Sequence, residues 1–270
     1  MTEAATTREQ SANTTRIAME QHSQRLVTAF IISGLLFMLL PGTFLGVWNL
    51  IDISREHTAA SLSPAWLQAH GQAQIFGWIG SFILGIGFYS LTKMQSTLSF
   101  PVRLGWTSWC LWTLGITLRW AGGVTAWHWR ILLPLSGALE LVAFFLFVRS
   151  VRRHRSPNPT PRPDTWMLAV IAATFAFLIA LIVNLGILIH QAMYGDSPAL
   201  SHVLDQQFVL LAIWGVLVPT IWGFNARWLP IFAGLRKPDG KRLLAAYAFS
   251  LLGLAAVFTQ WMAISSAALL

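Results

Sequence analysis

Five side chains able to do chemistry sit within or at the ends of long apolar stretches: His70, Gln74, Arg119, Glu140 and His190. An ionisable group at membrane depth is costly unless it faces a bundle interior or a cavity, so each marks a candidate site. His70, Gln74, Gly77, Ser81 and Gly85 are spaced by 4, 3, 4 and 4 residues, which puts them on one helix face, polar at one end and small below. Two readings follow. Small residues every fourth position let a second helix backbone approach closely. They also clear space for a flat macrocycle whose iron His70 would ligate through an imidazole nitrogen, with Gly71 beside it and Gln74 one turn inward on the cofactor edge.

The remaining candidates divide in the same way. Glu140 falls near the middle of its apolar run, one turn after Ser136, where a carboxylate must find a partner. A structural hydrogen bond is expected, with a proton relay, a solute path or a quinone contact as the alternative. Arg119, near the end of its run, can snorkel to headgroups or pair with a haem propionate, which the guanidinium fork suits. His190 follows Asn184 toward the end of another apolar run and is the helix-borne candidate for a second axial ligand. His57, His128 and His202 read as solvated or interfacial, and the single Cys110 as a packing residue.

The elements that must position these groups are membrane helices. Hydrophobic residues make up 55% of the 270 and charged residues 10%, and apolar runs recur near the roughly 20 residues a helix needs to cross a bilayer. Seven spans are expected, at 26–50, 65–91, 101–121, 129–148, 165–190, 204–226 and 243–268. This is an all-α, polytopic transmembrane bundle. Residues 1–25 read as a disordered cytoplasmic tail, 26–148 as a four-helix half, and 165–270 as a three-helix half. Between the halves, 149–164 reads as a basic linker extended by four prolines.

With the N-terminus inside, fifteen of the eighteen Lys and Arg fall on the cytoplasmic side, leaving Arg55, Arg119 and Arg130 outside. The positive-inside rule therefore gives an N-in, C-out topology. The net charge of +8 reflects that topology and anionic headgroups, so lipid is the expected partner and nucleic acid is not. A homo-oligomer or a partner membrane subunit is compatible with this pattern.

The pair His70–Gly71, opening a helix that ends in the glycine-rich GIGFYSL of 85–91, resembles the second helix of the haem–copper oxidase subunit I superfamily. There the equivalent histidine ligates the low-spin haem. AHGQAQIFGW, with WGFNARWLPIFAGL at 222–235, is similar to NnrS-type membrane proteins, relatives linked to nitric oxide and denitrification metabolism. The resemblance implies haem at His70 and a bacterial cytoplasmic (inner) membrane location. The departures are as informative. The superfamily places a copper-ligating histidine on the sixth helix and a His-His pair on the seventh, and this chain has neither. No copper site and no complete terminal oxidase or nitric oxide reductase centre is expected from it.

Three classes of function remain: a haem-binding membrane protein, a small-solute or ion transporter using Glu140, Gln74 and Arg119, and a cofactor-free assembly subunit. All three rest on the topology. Reporter fusions after Thr58, Ser156 and Ser201 are expected to read outside, inside and outside. An outside signal at Ser156 would reverse the orientation and the placement of His70.

Overall fold

The computed structural model describes residues 2–56, 58, 62–94, 102–153 and 164–267. His57 and residues 154–163, the greater part of the expected linker, lie outside the described residues. Every element among those described is helical: α1 (Thr2–Phe37), π1 (Met38–Thr43), α2 (Phe44–Glu56), α3 (Pro64–Gln72), π2 (Ala73–Gly80), α4 (Ser81–Met94), α5 (Val102–Thr125), α6 (Trp129–Arg153), α7 (Thr165–Tyr194), α8 (His202–Leu210), π3 (Leu211–Leu217), α9 (Val218–Ala233) and α10 (Gly240–Ala267). The chain divides into two compact units, Met1–Pro159 and Thr160–Leu270.

Among the described residues, six stretches are long and apolar enough to cross a membrane: Glu20–Glu56, Pro64–Ser90, Trp129–Ser150, Thr165–Tyr194, His202–Ala233 and Gly240–Val257. The run expected to form the third span is helical as α5, but Arg103, Arg119 and Trp106, Trp109, Trp112 and Trp120 dilute its apolarity. The helix α1 extends back to Thr2, through the segment expected to be a disordered tail. Ala4, Ala5, Glu9, Gln10, Ala12 and Ala18 in that segment are strong helix formers.

In the first unit α5 and α6 form the most extensive helix pair. They are joined by a turn of only Ala126–His128, in which Ala126 and His128 hold left-handed φ of 56° and 42°. So short a connection makes them antiparallel neighbours. Positions 105, 108, 112, 115, 116, 119 and 122 of α5 are buried, one face along its whole length. Across the unit, Phe30 of α1 stacks on Phe88 of α4 at 5.8 Å, and Phe88 meets Phe147 of α6 edge-on at 5.0 Å. The glycines of the GIGF motif receive this ladder, since a Cβ on Gly85 would lie 2.8 Å from Phe30 Cβ and one on Gly87 2.7 Å from Phe147 Cζ.

In the second unit α7 packs on α9 and π3, with Gly223 lying against Val170. The Tyr247 hydroxyl of α10 donates to the Pro219 carbonyl at 2.6 Å. The Arg227 guanidinium sits 5.7 Å from the Trp166 ring centroid. Gly234 ends α9 with a φ of 63°, a left-handed position that suits glycine.

Gly115 and Gly186 separate close packing from open surface. A Cβ at Gly115 would meet Glu140 Cγ and the Ser136 carbonyl at 3.0 Å, whereas none at Gly186 would touch anything within 4 Å. Gly115→Leu is expected to cost about 1–3 kcal/mol through overpacking, and Gly186→Ala to gain about 0.5–1 kcal/mol through helix propensity. Thermal melts in mild detergent check both.

Candidate functional site

The histidine singled out by sequence lies at a junction of two π-helical turns, π1 and π2, which pack on each other. Pro41 lies within π1 and lacks the N–H an α-helix would use, which accounts for the widened turn there. Just after it, the Gly42 carbonyl is 2.7 Å from His70 Nδ1. A carbonyl only accepts, so Nδ1 carries the hydrogen in this contact and the Nε2 lone pair is left open. Gly46, one turn on, makes room for the ring, because a Cβ there would lie 2.9 Å from His70 Cε1. Gly42 does the same for Gln74, whose amide Nε2 would stand 2.5 Å from an added Cβ.

Between α2 and α3 these residues border a cavity of about 490 Å³. Its walls include Thr43, Gly46, Asn49, Leu50, Leu67, His70 and Gln74, a mixture of apolar surface and few polar groups typical of small-molecule sites. Asn49 is buried at 6% exposure, and its Nδ2 has no hydrogen-bond partner.

The opposite side of α3 carries a second polar stripe. Gln68 and Gln72 are one turn apart, offset from His70 and Gln74, and Gln72 faces α6. Gln72 Nε2 lies 3.4 Å from Glu140 Oε2. Glu140 is wholly buried against Gly115, with Oε1 lacking a hydrogen-bond partner, and the buried Arg119, one turn along α5, acts on it electrostatically.

The structure thus sorts the candidates into separate places. His70 and Gln74 share the cavity, while Arg119 and Glu140 share a buried cluster with Gln72. Arg119 does not snorkel: it is 7% exposed inside the first unit, where the carboxylate gives its charge a counterpart. Gly71 makes no close approach, since a Cβ there would meet nothing within 4 Å. The small stripe below His70 is filled and leaves no slot for a macrocycle. A Cβ on Gly77 would meet Phe37 at 2.9 Å, Gly85 lies against Phe30, and Ser81 Oγ accepts from Trp112 Nε1 at 3.1 Å. His190 belongs to the second unit, exposed on α7, with its ring 5.0 Å from Tyr194. Cys110 is exposed on α5 and does not pack in the core.

Gln72, Asn49 and the Gly42/Gly46 pair escaped the sequence reading. The glycine pair carries a legible signal, a small-xxx-small spacing in an apolar run. Gln72 lies two residues from the histidine, on the face that the 4-3-4 pattern leaves out. Among the described residues no group of three or more His, Cys, Asp or Glu is arranged to hold a metal ion. Comparison with family models, with curated proteins and with solved structures finds no match to this chain.

Removing Glu140 takes away the buried carboxyl on which Arg119 acts. Glu140→Leu is expected to destabilise by about 3–5 kcal/mol, with much of the loss restored by adding Arg119→Met. A double-mutant cycle of thermal melts checks this, and additive losses would show that the two side chains do not interact.

Proposed function

We propose that the protein is a seven-span integral membrane protein of a bacterial cytoplasmic membrane, N-terminus inside and C-terminus outside, whose first unit binds haem through His70. The seventh crossing in this reading is α5. At about 1.5 Å per residue its 24 residues reach the roughly 30 Å of a bilayer core, and it runs antiparallel to the apolar α6.

The haem reading rests on one observation, the His70 Nδ1 hydrogen bond to the Gly42 carbonyl. Metal-ligating histidines commonly donate their other ring N–H to a carbonyl, which fixes the ring and raises the basicity of the ligating nitrogen. Nε2 is the atom left for iron, at an open pocket whose walls are largely apolar. The open α2 side of His70 supports this reading better than the filled face below it. Gly46 keeps the ring in place, and the Asn49 amide is the donor available to a carboxylate edge. Haem, when bound, would supply an iron centre for electron transfer or a diatomic ligand. The likeness of the second span to NnrS-type proteins favours a role in nitric oxide metabolism.

A cofactor-free assembly subunit is the second reading. It is favoured by the packing of Phe37, Trp112 and Phe30 against the stripe that resembles a haem-binding helix.

Absorbance separates the two. Protein purified in mild detergent from haem-replete cells is expected to show a Soret band that His70→Ala removes while the thermal melt is retained, and that Gly46→Leu diminishes by displacing the ring. A colourless wild-type preparation would leave the assembly-subunit reading in front.

A further inference from the structure

The buried cluster on the far side of α3 is not used by the haem reading, and it has the composition of a site in its own right. Glu140 is the one buried carboxyl group among the described residues, and its hydrogen bonding is incomplete. The 3.4 Å contact from Gln72 is long for a bond to a charged oxygen, and Oε1 has no partner. Three buried donors of the unit are committed elsewhere: Ser136 Oγ to the Leu133 carbonyl, Ser108 Oγ to that of Ala143, and Trp112 Nε1 to Ser81. A buried carboxyl oxygen left without a donor points to a task beyond anchoring.

We propose that Glu140 is an intramembrane proton-binding site, reached from the Pro64 end of α3 along Gln68 and Gln72. The two amides lie one turn apart on one face, Gln68 half-buried toward the helix start and Gln72 buried deeper, against the carboxylate. An amide both donates and accepts, so this stripe can order water between the aqueous edge and Oε. A proton arriving from water adds to a lone pair of Oε1, forming one O–H bond and breaking none in the protein, and it leaves by the same route. Arg119 of α5 is the charged group that acts on the site, and α3 contributes the uncharged Gln72. Protonation therefore changes the cluster from a balanced pair to a net positive charge held on Arg119. This inference is independent of whether His70 binds haem.

Dicyclohexylcarbodiimide tests it. The reagent partitions into apolar regions and reacts with protonated carboxyls. In wild-type protein in mild detergent, peptide mass spectrometry is expected to place an adduct on Glu140, forming faster as pH is lowered. Infrared difference spectra on a pH jump should contain a protonated-carboxyl C=O band that Glu140→Gln removes, and Gln72→Leu should slow its appearance several-fold. Thr117→Ala, on the exposed face of α5, should leave both unchanged. A folded wild-type protein with no Glu140 adduct at any pH, or with an adduct rate indifferent to pH, would overturn the proposal and make the cluster a permanent ion pair. Neither readout involves haem, so a colourless preparation and an unreactive Glu140 are separate failures.

Discussion

A carboxylate and a guanidinium buried in one apolar hairpin set the terms for the first unit. Taking either charge alone out of water costs several kcal/mol, and their mutual attraction offsets this only when the two are held together. Gly115 is what allows it, because the absent side chain lets α5 and α6 close until Glu140 Cγ would stand 3.0 Å from a Cβ at that position. Arg119 follows one turn later on the same buried face. A helix that is not among the six stretches apolar enough to cross a membrane thereby lies along one that is. The burial of Gln72 on α3 goes with that cluster, since its amide reaches Glu140 Oε2.

The constraint carries over to His70 through α3. A helix that presents Gln72 to Glu140 of α6 must present His70 and Gln74 elsewhere, because residues two apart project to nearly opposite sides. That other side meets π1, where Pro41 has widened the turn and Gly42 offers its carbonyl to Nδ1. The imidazole is oriented by the Gly42 carbonyl at Nδ1 and by the room that Gly46 leaves for the ring.

How much of this was legible follows from which signals are local. The apolar runs and their helical state were read directly, since hydropathy and length are local properties. His70 and Gln74 were placed correctly on one face, and Glu140 was expected to have a partner within the bundle, which Gln72 and Arg119 supply. What the 4-3-4 spacing could not say is what would fill the small positions beneath His70. Phe37, Trp112 and Phe30 come from helices distant in sequence, and their rings occupy the room that small residues leave. The π-turns were missed for a related reason. Only π1 carries a proline that announces it, and π2 lies in an uninterrupted run of AQIFGWIG.

The second unit is held by different means, and this bears on what its motif can signify. No hydrophobic force drives helices together in lipid, so association there relies on close van der Waals packing of small residues. The buried face of α7 supplies Ala169, Ala173 and Ala180, and α9 answers with Gly223 against Val170. Within WGFNARWLPIFAGL, then, Gly223 is a packing residue, Arg227 lies over the Trp166 ring, and the Pro230 carbonyl accepts the Gly234 and Leu235 N–H groups that close the helix. Gly223, Arg227, Pro230 and Gly234 of that segment thus each have a structural task. The cofactor reading therefore gains nothing from the sixth span, and the whole weight of it rests on one imidazole and the carbonyl that turns it.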